Sequence, residues 1–224
     1  MYHGSASNHR VGGPGLPAPA GTAPRSCYGE GMETPLEGLT PDRVRRFRRD
    51  EYERMVEVGL FADQRVELLY GVIVTMSPQK APHAHPIRTL NMILAPALVG
   101  RAEVQVQIPL AVSDDSEPEP DLSVVASGDY LDELPRTALL VVEVAGDSLR
   151  TDREIKGRLY AETGIPEYWL IDLRRNRLER YLRPESGVYT QMTTHGRGET
   201  LHPSAFPDVA VALDRLLRPT PIGD

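Results

Sequence analysis

The chain is 224 residues long and carries a formal net charge of −7, with 40% apolar and 25% charged residues. That length and balance fit one globular domain plus a tail, and the acidity argues against a protein that coats nucleic acid by neutralising phosphates with Lys and Arg. The single cysteine, Cys27, excludes a disulfide framework and a cysteine-based zinc site within one chain, and no apolar run approaches membrane-span length.

Residues 1–38 are rich in Gly, Pro, Ala and Ser and predict a disordered leader, because they cannot bury enough surface to offset the entropy of ordering. The stretch from Met1 to Pro24 lacks the continuous apolar segment of a secretory signal, so a cytoplasmic location is expected. The folded domain is expected over 39–218, with 219–224 a frayed end. It opens at Thr40, read as an N-cap, with Pro41 at the first helical position. Val44, Phe47, Tyr52, Met55 and Val56 then recur at helical spacing, and Gly59 closes that helix. Arg65-Val-Glu-Leu-Leu, a Tyr70-Gly71 turn and Val72-Ile-Val-Thr-Met predict a β-hairpin. A helix follows over 83–99 on Ile87, Leu90, Leu94 and Leu98, with Pro86 in its first turn and Pro96 near its end. Segments 103–112, 121–125 and 138–145 are β-branched and read as strands covered on both faces. Thr151 and Glu154 have capping-box spacing at the start of a helix over 151–163 that stops at Gly164. Strands are expected at 167–173 and 177–183, joined by the turn Arg174–Asn176, with another at 188–193 and a short Leu-Leu helix in the tail. This order describes an α/β or α+β domain around one mixed sheet.

The chemistry concentrates between Pro120 and Asp172. Asp121 follows Pro120, which favours a strand start there, and such an acid projects into a cleft or is a plain turn aspartate. Glu143 is harder to assign to structure: it lies inside Leu139-Leu-Val-Val-Glu-Val, and an unpaired carboxylate in a buried strand is expensive. A hard cation such as Mg²⁺ takes one or two carboxylates together with water and phosphate oxygens, and Asp121 with Glu143 could supply that pair; an ion pair with an arginine is the other reading. Lys156 stands four residues after Asp152 and four before Tyr160, so the three share a helix face with Leu159 close by. It either reaches the sheet, where it would orient water or stabilise a charged transition state, or snorkels and pairs with Asp152. Glu67 alternates with apolar residues in the hairpin and reads as a third carboxylate or as a solvent-face acid. His83 and His85, with no third partner at metal-site spacing, read as capping or surface histidines. A Gly-rich phosphate loop, a nucleophile elbow and a His-Glu-x-x-His motif are all lacking, and Tyr168 and Trp169 read as core residues rather than stacking platforms.

Taken together, RVELLYGVIVTMSP, the histidine-led helix, PEPDLSVV and LVVEVAGDSLRTDREIKGRLYAETGIPEYWLID resemble the Uma-two family, bacterial restriction endonucleases of the PD-(D/E)xK nuclease superfamily. The resemblance spans roughly residues 40 to 215. It implies a restriction-endonuclease-like core, a four-stranded mixed sheet flanked by helices, and Mg²⁺-dependent cleavage of DNA, with Mn²⁺ a substitute. It implies that Asp121, Glu143 and Glu67 hold metal and that Lys156 is the catalytic lysine, moved to the following helix because Ala145 occupies the usual position. His83 matches the histidine opening the family's second helix, and Asp152 and Tyr160 join as accessory residues. A homodimer would follow from cutting both strands. The alternative is a catalytically inactive nuclease fold serving as a DNA-binding or protein-interaction module.

Overall fold

In the computed structural model residues 44–76 and 78–219 are described, and the fold is carried by the unit that begins at Arg45. The predicted leader with Cys27, the Thr40–Pro41 helix start and the end beyond Pro219 lie outside the described residues.

The first helix, α1 (Arg49–Glu57), starts later than its apolar spacing predicts. The backbone ahead of it is engaged elsewhere: Phe47 N–H bonds the Gly71 carbonyl at 2.9 Å, and Arg48 is extended, its N–H bonded to Glu51 Oε2 at 3.0 Å. The helix ends at Val58, with Gly59 at φ +76° as expected. The hairpin β1 (Val66–Leu69) and β2 (Val72–Thr75) forms as predicted. Its two-residue turn has Tyr70 at φ 50° and Gly71 at φ 76°, the left-handed pair such a hairpin needs. Gly71 is required twice over, because a Cβ there would lie 2.6 Å from the Cβ of Arg46. Tyr52, Val66 and Leu68, with Phe47, Phe61 and Ile73 against them, form a small core under this hairpin.

Helix α2 (Ala81–Ala97) begins before Pro86, which therefore sits in the second turn, while Pro82 occupies the first and Pro96 the last. Strand β3 (Ala102–Gln105) is shorter than expected because Gln107 turns left-handed at φ 54° and Pro109 follows. Next come β4 (Leu122–Ala126) and β5 (Leu140–Ala145), then a wide π-helical turn (Thr151–Lys156) running into α3 (Gly157–Glu162). The predicted Thr151 cap does not form: Arg150 is already helical and Asp152 N–H bonds Ser148 O at 3.0 Å. Strands β6 (Glu167–Asp172), β7 (Arg177–Glu185) and β8 (Val188–His195) follow, and β9 (Thr200–Leu201) pairs with β10 (Val211–Ala212) in the tail.

The central sheet runs β3-β4-β5-β6-β7-β8, six strands where the resemblance implies four, with β7 and β8 continuing beyond β6. Only β5 and β6 are parallel, joined by the wide turn and α3 as a strand–helix–strand crossover. Every residue of β5 and β6 is buried, as expected of strands covered on both faces. Leu140, Val142 and Val144 face a core built from α2 and the tail. Val141 and Ala145 face the opposite core, with Tyr160, Ile165 and Tyr168. Strand alternation puts Glu143 on that second face.

Candidate active site

Each site residue is delivered by a different element. Glu67 comes from β1, Asp121 from the residue before β4, Glu143 from the middle of β5, His83 from the first turn of α2, and Asp152 and Lys156 from the wide turn. The register that pairs Leu122 with Val142 brings Asp121 alongside Glu143 on the same face. The hairpin is tied in by Glu117 N–H to Leu68 O at 2.8 Å, and Glu119 N–H donates to Glu67 Oε2 at 3.1 Å. Proline at 118 and 120 holds that connecting segment extended.

Lys156 is the hub. Its Nζ lies 2.9 Å from Glu67 Oε2, 3.0 Å from Glu143 Oε1 and 4.0 Å from Asp152 Oδ1. Tyr160 OH donates to the same Glu143 oxygen at 2.8 Å. Asp121 Oδ2 accepts the Val144 N–H at 2.8 Å and sits 3.2 Å from His83 Nε2. Ser148 Oγ donates to Asp152 Oδ2 at 2.6 Å. Lys156 is only 3% exposed, Glu143 3%, Glu67 4% and Asp152 4%, which rules out a snorkelling lysine and a solvent-face Glu67. His83 is not the surface histidine its local sequence suggests, because it bonds Asp121; His85 is, with only an exposed contact to Arg215 O.

Burial pushes the Glu143 carboxyl well above its usual range; Lys156 opposes this, while Asp152, Asp121 and Glu67 reinforce it. Asp152 is pushed up to about 6, again by burial against the pull of Lys156 and Ser148. Burial alone would depress the Lys156 ammonium, but Glu143 and Glu67 override it and hold the ammonium above its ordinary range. His83 is likewise raised, burial being outweighed by Asp121. The cause is common to all four: four carboxylates share one ammonium and one imidazole in a site remote from water, so they compete for protons.

The cluster forms the floor of a cleft of about 590 Å³ whose rim carries Arg65, Lys80 and Thr151. Its donors are hard oxygens suited to a divalent cation of the Mg²⁺ kind. Both contacts to Asp121 fall on Oδ2, leaving Oδ1 without a hydrogen bond among the described residues, and Glu143 Oε2 has only a long contact of 3.4 Å from the Asp121 N–H. Among the described residues no three His, Cys, Asp or Glu side chains are arranged to hold a metal ion. The available set is a carboxylate pair, the number such an ion takes when waters and a phosphate complete its shell.

Sequence reasoning missed the frame behind the lysine. Arg153, the wide turn's outward neighbour, makes two bonds to Glu179 on β7, at 2.9 and 2.8 Å, and Glu179 also accepts from Arg177 and Tyr181. Glu179 is 1% exposed, and Glu167 and Asp172 are fully buried. The signal was an acid inside an apolar strand, the same one that singled out Glu143.

Residues 49–214 match the profile of Uma2, the family described as "Putative restriction endonuclease". The chain belongs to this family. Among solved structures it is similar to "a putative nuclease belonging to DUF820" from Anabaena variabilis, with a TM-score of 0.55 and 16% identity over 69% of this chain and 90% of that one. That likeness shows the mixed α/β nuclease fold. Similarity to the type IIG restriction endonuclease BpuSI (TM-score 0.35, 19% identity) covers 52% of this chain and 14% of that much larger protein. No curated protein sequence matches the chain. Among the described residues no helix is long and apolar enough to cross a membrane.

Proposed function

We propose that this Uma2 protein is a divalent-cation-dependent endodeoxyribonuclease that hydrolyses DNA phosphodiester bonds. The observation that carries this reading is the meeting of Asp121, Glu143 and Glu67 around Lys156 on the floor of one cleft. Asp121 and Glu143 would hold the cation through Asp121 Oδ1 and Glu143 Oε2, with Glu67 nearby. Mg²⁺, or Mn²⁺ in its place, would polarise the phosphate and lower the pKa of the attacking water. His83 and the Val144 N–H keep Asp121 oriented, and Tyr160 and Lys156 keep Glu143 oriented. Lys156, freed from one carboxylate as the cation takes over that charge, would donate to the non-bridging oxygens of the phosphate as negative charge builds there. Arg65 and Lys80 at the rim meet the backbone of the substrate, which an acidic chain needs in order to approach DNA. Cutting both strands needs two such sites, so a homodimer belongs to this proposal.

A second reading is favoured by one observation: Lys156 already bonds Glu67 and Glu143, so the cluster is closed on itself by an internal cation. A catalytically silent nuclease fold that binds DNA or a protein would have that arrangement. Two experiments divide the readings. Purified protein is incubated with plasmid DNA and Mg²⁺ or Mn²⁺, and nicking should be lost in Lys156→Ala; equal nicking by both proteins removes Lys156 from the mechanism. Calorimetric titration with Mg²⁺ should show binding that Asp121→Ala abolishes, and no binding by wild type favours the silent fold.

A further inference from the structure

A second cleft, of about 430 Å³, opens between α1 and the segment 132–136, and it shares no lining residue with the cleft around Lys156. We propose that it binds an organic ammonium, a primary amine carried on an aliphatic stem. Glu117 forms its deep wall. That residue is 6% exposed, and its Oε2 is buried without a hydrogen-bond partner. The carboxylate cannot swing away to find one. Its backbone is bonded in both directions to Leu68, at 2.8 and 3.3 Å, and Pro118 follows. The nearest cation, Arg49, does not serve it: Arg49 Nη1 bonds Glu53 Oε1 at 2.8 Å, and its own Nε is buried without a partner. A fixed, buried, bare acceptor is a costly feature that a bound donor would relieve.

The charge selects the sign of the ligand. Glu53, Glu57, Glu117, Asp132 and Glu133 line the cleft against Arg49 and Arg136, so an anion is repelled. Between cations, the shape favours an amine over a metal ion. No three acids among the described residues are arranged to hold a metal, whereas a hard divalent ion needs about six oxygen ligands in a tight shell. An ammonium needs only a few acceptors for its three N–H groups, and Glu117 with Glu53 supplies them. The remaining volume is walled by Val56, 49% exposed, and half-buried Leu134, which offer apolar contact to a methylene stem. Without a ligand the bare acceptor copes by holding a proton: burial and the Glu53 carboxylate push Glu117 up to about 7. An ammonium would displace that proton.

Free polyamines and the lysyl side chain of a peptide carry the same chemistry, so both are assayed. The full chain carrying Asp121→Asn and Glu143→Gln, which lowers the acidity of the first cleft, is titrated calorimetrically with 1,5-diaminopentane, with N-acetyl-lysine methylamide and with MgCl₂. Saturable one-to-one binding of an amine, weakened at least about tenfold by adding Glu117→Gln and also by adding Glu53→Gln, is the expected result. Preference for the diamine would identify a free polyamine, and preference for the lysine derivative a peptide. Amine binding unchanged by both substitutions overturns the proposal, as does absence of saturable binding. Glu117-dependent binding of Mg²⁺ in preference to either amine also overturns it, in favour of a metal site. Melting temperatures of the variants establish that each is folded, and because Glu53 lies on the rim its substitution gives a test that does not disturb the buried wall.

Discussion

Replacing Lys156 by methionine keeps the aliphatic volume and removes the charge. At the observed separations of 2.9 and 3.0 Å, each contact to Glu67 and Glu143 is worth roughly 5 kcal/mol at an effective dielectric of about 20, before desolvation is subtracted. Desolvation cancels much of this in the intact pair, but removing one partner leaves buried carboxylates uncompensated, at a net cost of about 3–5 kcal/mol. For a domain of this size, about 2–4 °C per kcal/mol converts that into a fall in Tm of roughly 6–20 °C. The loss should depend on pH. Without the ammonium, the folded-state pKa values of Glu67, Glu143 and Asp152 rise further above their unfolded values. A raised carboxylate contributes stability that is present at low pH and lost as pH rises through the folded pKa. Melting followed by circular dichroism should therefore show the full deficit near about pH 8 and a smaller one near about pH 5. A Glu143→Gln/Lys156→Met double variant should recover part of the deficit, with a coupling of about 1–3 kcal/mol. If Lys156→Met melts within about 2 °C of wild type at both pH values, the ammonium is not held between buried acids and the site description fails.

The metal assignment predicts that about 10 mM Mg²⁺ raises stability by roughly 1.4 kcal/mol if its Kd is near 1 mM, and that Asp121→Asn abolishes the increment in a thermal melt. Glu117, pushed up to about 7 from 4.5, destabilises the fold progressively as pH rises through that window. Glu117→Gln should accordingly be stabilising by about 1–3 kcal/mol near pH 8 and close to neutral near pH 4, read from urea midpoints at the two pH values. Gly71→Ala combines a left-handed backbone with a Cβ 2.6 Å from Arg46 Cβ and should cost about 1–3 kcal/mol, measured by the same midpoints. Arg153→Met removes both bonds that anchor the wide turn to Glu179, so it should reduce any nicking activity while leaving the Lys156 contacts chemically intact. Activity equal to wild type would show that the turn holds its shape without that anchor.

Much of the architecture was legible because it rests on local rules. Alternation and β-branching marked β4, β5 and β6, the Tyr70-Gly71 pair marked the hairpin, and Leu90 and Leu94 marked the buried face of α2. Tyr168 and Trp169, both fully buried, were rightly read as core and are closed to base stacking. The element starts that were misplaced have non-local causes. The onset of α1 is set by a bond from Phe47 to the distant turn at Gly71, and the wide turn at 151–156 is entered from Ser148 rather than from a cap at Thr151. Neither partner is visible within a short window of sequence.

The sequence by itself determined which residues carry the chemistry: an acid inside a β-branched strand is costly enough to need a reason, and that cost marked Glu143 without any coordinates. For Asp121, Lys156 and Glu67 the local pattern was ambiguous, since a turn aspartate, a snorkelling lysine and a solvent-face glutamate have the same neighbours. Only the tertiary structure decided among these, because burial is a property of what lies across space. The register of β4 on β5 sets Asp121 beside Glu143, the bridge from Leu68 to Glu117 carries Glu67 over the site, and the wide turn, anchored through Arg153 to Glu179, drives Lys156 inward to meet them.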